Sequence, residues 1–304
     1  MTAVRRCLPP TDNISLHKKV ATATALDALA QGIIFRYFSH VKSEKRHARD
    51  YVTELASGGR LSFTTTEAQA WLQVSSDATK LALNRLLKKG LVASPARGFY
   101  VVVPAEYRSL GCLPADQFIP ALMARLGLPY YAGILTAAQY YGAAHQRPQT
   151  FQVCLEKNRR PIACGSVRVT YIARKAIRQV PVRTFNTPRG VIQVSTPEAT
   201  AIDLAGYPDH AGGLDQVATV LSELSEALLP ELLVKAAETA PTPWAQRLGY
   251  LLTLGDGVNL TKPLEDYVQA RAKKHVLLAP NNPSEGWRDD RWKLVVNEQV
   301  EPEF

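Results

Sequence analysis

Between Thr64 and Val103 the chain carries its most restrictive pattern: a capped short helix, a tight turn, an amphipathic helix with a glycine stop, and a hairpin. Thr64-x-x-Glu67 has the spacing of a capping box, in which each side chain satisfies the other's backbone amide. It opens a short helix through Ala68 and Leu72, and Gln73-Val74-Ser75 makes the turn. From Ser76 to Lys89, Thr79, Ala82, Leu83, Leu86 and Leu87 fall in one helical arc, while Asp77, Lys80, Asn84 and Lys88 occupy the other. Gly90 supplies the left-handed residue that commonly stops a helix. Leu91 to Ser94, the turn Pro95-Ala96-Arg97-Gly98, and Phe99 to Val103 then spell a β-hairpin. Upstream, EKRHARDYVTELASGG predicts a helix burying Ala48, Tyr51, Val52 and Leu55 and ending at Gly58-Gly59, and LSFTT predicts a short strand. This order is the parts list of a winged helix-turn-helix over residues 43–110, with Arg97 and Gly98 at the wing tip.

Such a helix enters the DNA major groove by its N-terminal half, while neighbouring elements hold phosphates. Lys80 suits a guanine and Asn84 a bidentate pair with adenine. Thr65, Thr66, Ser75 and Ser76 stand at helix starts, where hydroxyls and backbone amides match phosphate oxygens. Arg85 and Lys88 are placed for the backbone, and Arg97 for the adjacent minor groove or its phosphates. The same residues also fit the solvated side of an amphipathic helix.

With 304 residues, 46% of them apolar, the chain can bury more than one core. The expected class is α+β: a helical extension over 1–42 with a helix at 16–39, the winged helix over 43–110, and a larger mixed α/β domain over 111–304. No secretory signal or membrane-length apolar run is evident, which points to the cytoplasm. Cys7, Cys112, Cys154 and Cys164 lack Cys-x-x-Cys spacing and are expected as thiols, neither a metal set nor a disulfide framework. Charge is uneven: residues 1–110 hold 16 Lys and Arg against 8 Asp and Glu, residues 151–190 hold 9 against 1, and residues 191–304 hold 9 against 17. Two basic segments of this kind suit polyanions or an acidic partner.

In the C-terminal part TFQVCLE, SVRVTYIAR, PVRTF and GVIQVS predict strands, the second alternating Val167, Val169 and Tyr171 against Arg168 and Thr170. Ser195-x-x-Glu198, with Pro197 between, predicts the cap of a helix through Ala201, Ile202 and Leu204. Helices over 214–228, 230–239, 244–254 and 262–273 and late strands HVLLA and WKLVV follow. No phosphate loop, His-Glu-x-x-His or Gly-x-Ser-x-Gly is present, so no catalytic residue, cofactor or metal is expected. Asp203 is either a structural aspartate or, with Glu198 and Lys175, a metal ligand of a nuclease. His145, His210 and His275 stand isolated.

The run VSSDATKLALNRLLKKGLVASPARGFYVVVP resembles the winged helix of the AbiEi antitoxins of type IV toxin-antitoxin systems. YYAGILTAAQYYGA, VSTPEATAIDLAGYPDHAGGLDQVATVLSEL, QRLGYLL and RWKLVVN resemble successive blocks of their C-terminal domain, so the likeness spans 44–300 and omits 1–42. The resemblance implies autorepression through inverted-repeat operator DNA, as a monomer or by weak self-association on DNA. It also implies neutralisation, without a stable complex, of a nucleotidyltransferase-like toxin. Arg168, Arg174, Lys175, Arg178 and Arg183 are then the expected antitoxin surface. An effector-sensing regulator and a metal-dependent nuclease are the competing readings.

Overall fold

The computed structural model describes residues 46–143 and 149–302. The helix expected over 16–39, Cys7 and His145 lie outside the described residues. Residues 48–304 form one compact unit and residues 1–47 another. All helices and strands of the described residues belong to the former.

The described residues begin with α1 (Ala48–Ser57), β1 (Ser62–Thr64), α2 (Thr65–Leu72), α3 (Ser76–Lys88), β2 (Val92–Ala96) and β3 (Phe99–Val102). Thr64 caps α2 with both halves of the capping box: its hydroxyl accepts from the Glu67 amide and Glu67 accepts from the Thr64 amide at 2.7 Å. Gln73 turns the corner at φ 56°, and Ser75 caps α3 by accepting from the Ala78 amide. The three strands form an antiparallel sheet in the order β1-β3-β2, with Arg97-Gly98 as the two-residue connection. Tyr51, Phe63, Leu83, Leu86 and Val101 close the core between helices and sheet. This is the winged-helix arrangement predicted from the sequence.

Two helices and a strand that the alternation left unassigned come next: α4 (Ala115–Leu126), β4 (Tyr130–Ala132) and α5 (Ile134–Tyr140). Then follow β5 (Phe151–Leu155), β6 (Ile162–Cys164), β7 (Val167–Ala173), β8 (Val182–Thr187) and β9 (Gly190–Ser195). They build a mixed six-stranded sheet ordered β6-β7-β5-β4-β9-β8. Strand pleating assigns its side chains to two cores. Val153, Leu155, Val169 and Tyr171 join the core of α4 and the winged helix. Tyr131, Cys154 and Ile172 join a second core with the helices that follow. The sheet is therefore a middle layer, and the core starting at Tyr51 continues unbroken across residue 110 to Tyr171.

Those helices are α6 (Pro197–Gly206), α7 (Leu214–Leu224), α8 (Pro230–Glu238), α9 (Thr242–Thr253) and α10 (Lys262–Arg271). A small sheet of β10 (Val276–Leu277), β11 (Trp287–Asp289) and β12 (Leu294–Val296) closes the described chain. Gly249 of α9 lies against the ring of buried Trp292, so close that an added Cβ would stand 2.0 Å from a ring carbon. The cap of α6 differs from expectation by one residue. Thr196, not Ser195, accepts from the Ala199 amide, and the Ser195 hydroxyl instead pairs with that of Thr200 at 2.7 Å.

Candidate nucleic-acid interface

Helix α3 buries Thr79, Leu83 and Leu86. It leaves Ser76, Asp77, Lys80, Leu81, Asn84, Arg85 and Lys88 exposed on the side away from the core, with Ser75 exposed just before it. The amphipathic arc thus does what the spacing predicts, and one face collects the residues expected to read bases and touch phosphates. Lys80 forms an exposed ion pair with Asp77 at 3.2 Å. Pairs of this kind contribute little in water, so Lys80 leaves it at small cost.

Leu81 is the residue this face holds that pattern reading missed. At 59% exposure it stands among Asp77, Arg85 and Lys88, and Val74 in the preceding turn is 41% exposed. An apolar side chain in such company suits a thymine methyl group.

The remaining sites divide. Thr66 is exposed at the start of α2, but the Thr65 amide is already committed, donating to the Gly98 carbonyl at 3.2 Å. Its expected backbone contact to a phosphate is therefore corrected: only the part-exposed hydroxyl remains. That same bond pins the wing turn to the start of α2, and Arg125 of α4 donates to the Arg97 carbonyl at 3.3 Å. The Arg97 side chain is exposed from a short, anchored hairpin.

On the second basic segment Arg168, Lys175, Arg178 and Arg183 are exposed. Arg174 is not, and its place in an antitoxin surface is corrected. It is 1% exposed. Its Nε donates to Asp203 Oδ1 at 2.9 Å, and its Nη1 to the carbonyls of Lys175 at 3.0 Å and Thr239 at 2.9 Å. The guanidinium also lies over the Trp244 ring, 4.8 Å from its centroid.

Asp203 itself is fully buried, with its second oxygen accepting from the Tyr131 hydroxyl at 2.6 Å. Burial raises its carboxyl pKa against the opposing pull of Arg174 and Tyr131. Both oxygens are thus engaged by protein. Of the two other residues of the nuclease reading, Glu198 accepts from the Leu229 amide at 3.2 Å, and the Lys175 side chain is exposed. His275 pairs with Asp290 at 2.9 Å, and His210 is exposed. Cys112, Cys154 and Cys164 are buried free thiols.

Fold and exposed faces define a helix-turn-helix with an anchored hairpin, joined through a common core to a mixed sheet layered with helices. Residues 131–254 match the family model of the AbiEi antitoxin C-terminal domain, in accord with the resemblance in the sequence. The crystal structure of the RV2827C protein from Mycobacterium tuberculosis is similar in fold, with a TM-score of 0.59 at 19% identity, covering 83% of this chain and 93% of that one. Comparison with curated proteins gives no match. Among the described residues no helix is long and apolar enough to cross a membrane.

Proposed function

We propose that this chain is a cytoplasmic, non-enzymatic type IV antitoxin that represses its own operon and counters a nucleotidyltransferase-like toxin in phage defence by abortive infection. The observation that carries the DNA half is the face of α3, where Ser75, Ser76, Lys80, Leu81, Asn84, Arg85 and Lys88 are exposed together above a buried apolar seam. Lys80, Leu81 and Asn84 read bases. Thr66, Arg85, Lys88 and Arg97 hold phosphates, which fixes register and supplies the salt-dependent part of the affinity.

The match to the AbiEi antitoxin C-terminal domain supports the antitoxin half. Arg168, Lys175, Arg178 and Arg183 form its working surface, facing a polyanion or an acidic protein. Neutralisation is tested by expressing the toxin encoded beside this gene with and without the full chain, and operator binding by titrating DNA upstream of the gene. Growth rescue together with salt-dependent specific binding supports both halves. Rescue without binding would leave an antitoxin that does not repress.

A further inference from the structure

The described residues line an open cleft of about 660 Å³, drawn from five separate segments. That volume falls in the range of small-molecule sites. Its walls combine three kinds of chemistry. The rings of Tyr107, Tyr140 and Phe151 line it. So does the first turn of α4, which begins at Pro114 with no side chain capping its amides. The third component is Arg168, exposed, its Nη1 held by the carbonyls of Gly165 at 2.6 Å and Val167 at 3.1 Å. No ion pair to Arg168 occurs among the described residues.

Gln117 adds an independent sign. It lines the same cleft and is 9% exposed. Its Nε2 donates to the Tyr107 hydroxyl at 2.9 Å, yet its Oε1 is buried with no hydrogen-bond partner. An unsatisfied buried amide oxygen costs stability, and a donor entering the cleft would relieve it after a small turn of the side chain.

An uncapped helix start and a fixed guanidinium favour a phosphate. Aromatic rings with a carboxamide favour a flat heterocycle carrying amino groups. We propose that this cleft binds a nucleotide, its phosphates on Arg168 and the start of α4, its base among the rings with an amino group donating to Gln117. Because Tyr107 lies five residues beyond β3, occupancy bears directly on the base of the winged helix. The proposal is independent of the operator reading; it shares Arg168 with the proposed antitoxin surface, and direct nucleotide titration of the chain without toxin tests it separately.

The test is isothermal titration of the full chain with each common ribonucleoside triphosphate, with the matching nucleosides, and with inorganic tripolyphosphate. One nucleotide should bind saturably at one per chain. Its nucleoside and tripolyphosphate should each bind more weakly, and Arg168→Ala should weaken it by about tenfold to a hundredfold. Arg168 is exposed, so the variant should melt with the parent, and Arg183→Ala, outside the cleft lining, should bind as the parent does. Absence of binding at millimolar concentration would overturn the proposal. So would tripolyphosphate binding as tightly as the best nucleotide, or equal losses in the two arginine variants.

Discussion

Replacing Asp203 by Asn removes one charge and one acceptor from a fully buried polar cluster. Asp203 accepts from Arg174 at 2.9 Å through one oxygen and from Tyr131 at 2.6 Å through the other. An amide keeps only one acceptor: with its oxygen on the guanidinium, its NH₂ faces the Tyr131 hydroxyl oxygen and can donate to it, but the hydroxyl proton then loses its acceptor. Arg174, 1% exposed, is then a buried cation held only by neutral carbonyls, a hydroxyl and the face of Trp244. Removing one partner of a buried pair costs about 3–5 kcal/mol, a large fraction of a total stability of about 5–15 kcal/mol. For a domain of this size the melting temperature should drop by about 6–20 °C. Circular dichroism melts of parent and Asp203→Asn measure it. Replacing both partners, as Arg174→Met with Asp203→Leu, should recover a substantial part, since paired burial is itself expensive. A single variant melting with the parent would refute the structural role. Loss of a metal-dependent cleavage at unchanged melting temperature would instead revive the nuclease reading.

Removing the charge of Arg85, Lys88 or Arg97 should weaken operator and non-operator DNA alike and lower the magnitude of the salt slope by about one each; an Arg97→Ala slope equal to the parent's would lift the wing off the DNA. Reversing Lys175, Arg178 and Arg183 to Glu, all exposed and none in the buried cluster, should abolish growth rescue from the toxin while melting is unchanged. Full rescue at normal abundance would make that patch mere solvated charge. Gly249→Ala sets a methyl carbon 2.0 Å from the ring of Trp292, and overpacking of this kind costs about 1–3 kcal/mol, readable as a lower melting temperature.

The winged helix was legible because its signals are local: Thr64, Ser75 and Gly90 mark helix ends through their own backbone neighbours. Helix α4 was not, since Gln117, Phe118, Ile119, Leu122 and Met123 are buried around much of its girth and Pro120 interrupts its pattern. Strand β4 has only three residues, too few for alternation to register. Arg174 shares the parity of Arg168, which places it on the exposed face of an ideal strand. Ile172, of that same parity, is already covered by the second core, so exposure ends before Arg174 is reached. Leu81 was passed over because an apolar residue on a polar arc carries no periodic signal of its own. The cleft draws its lining from distant segments, and no stretch of sequence announces it.

The central claim is that the exposed face of α3 reads DNA, and the most direct measurement compares two affinities for one folded variant. The double variant Lys80→Ala with Asn84→Ala should lose about 1–3 kcal/mol per residue on the operator duplex while binding a scrambled duplex nearly as before, by fluorescence anisotropy at one salt concentration. Equal operator affinity in the variant and the parent would contradict the claim and return α3 to a solvated helix face.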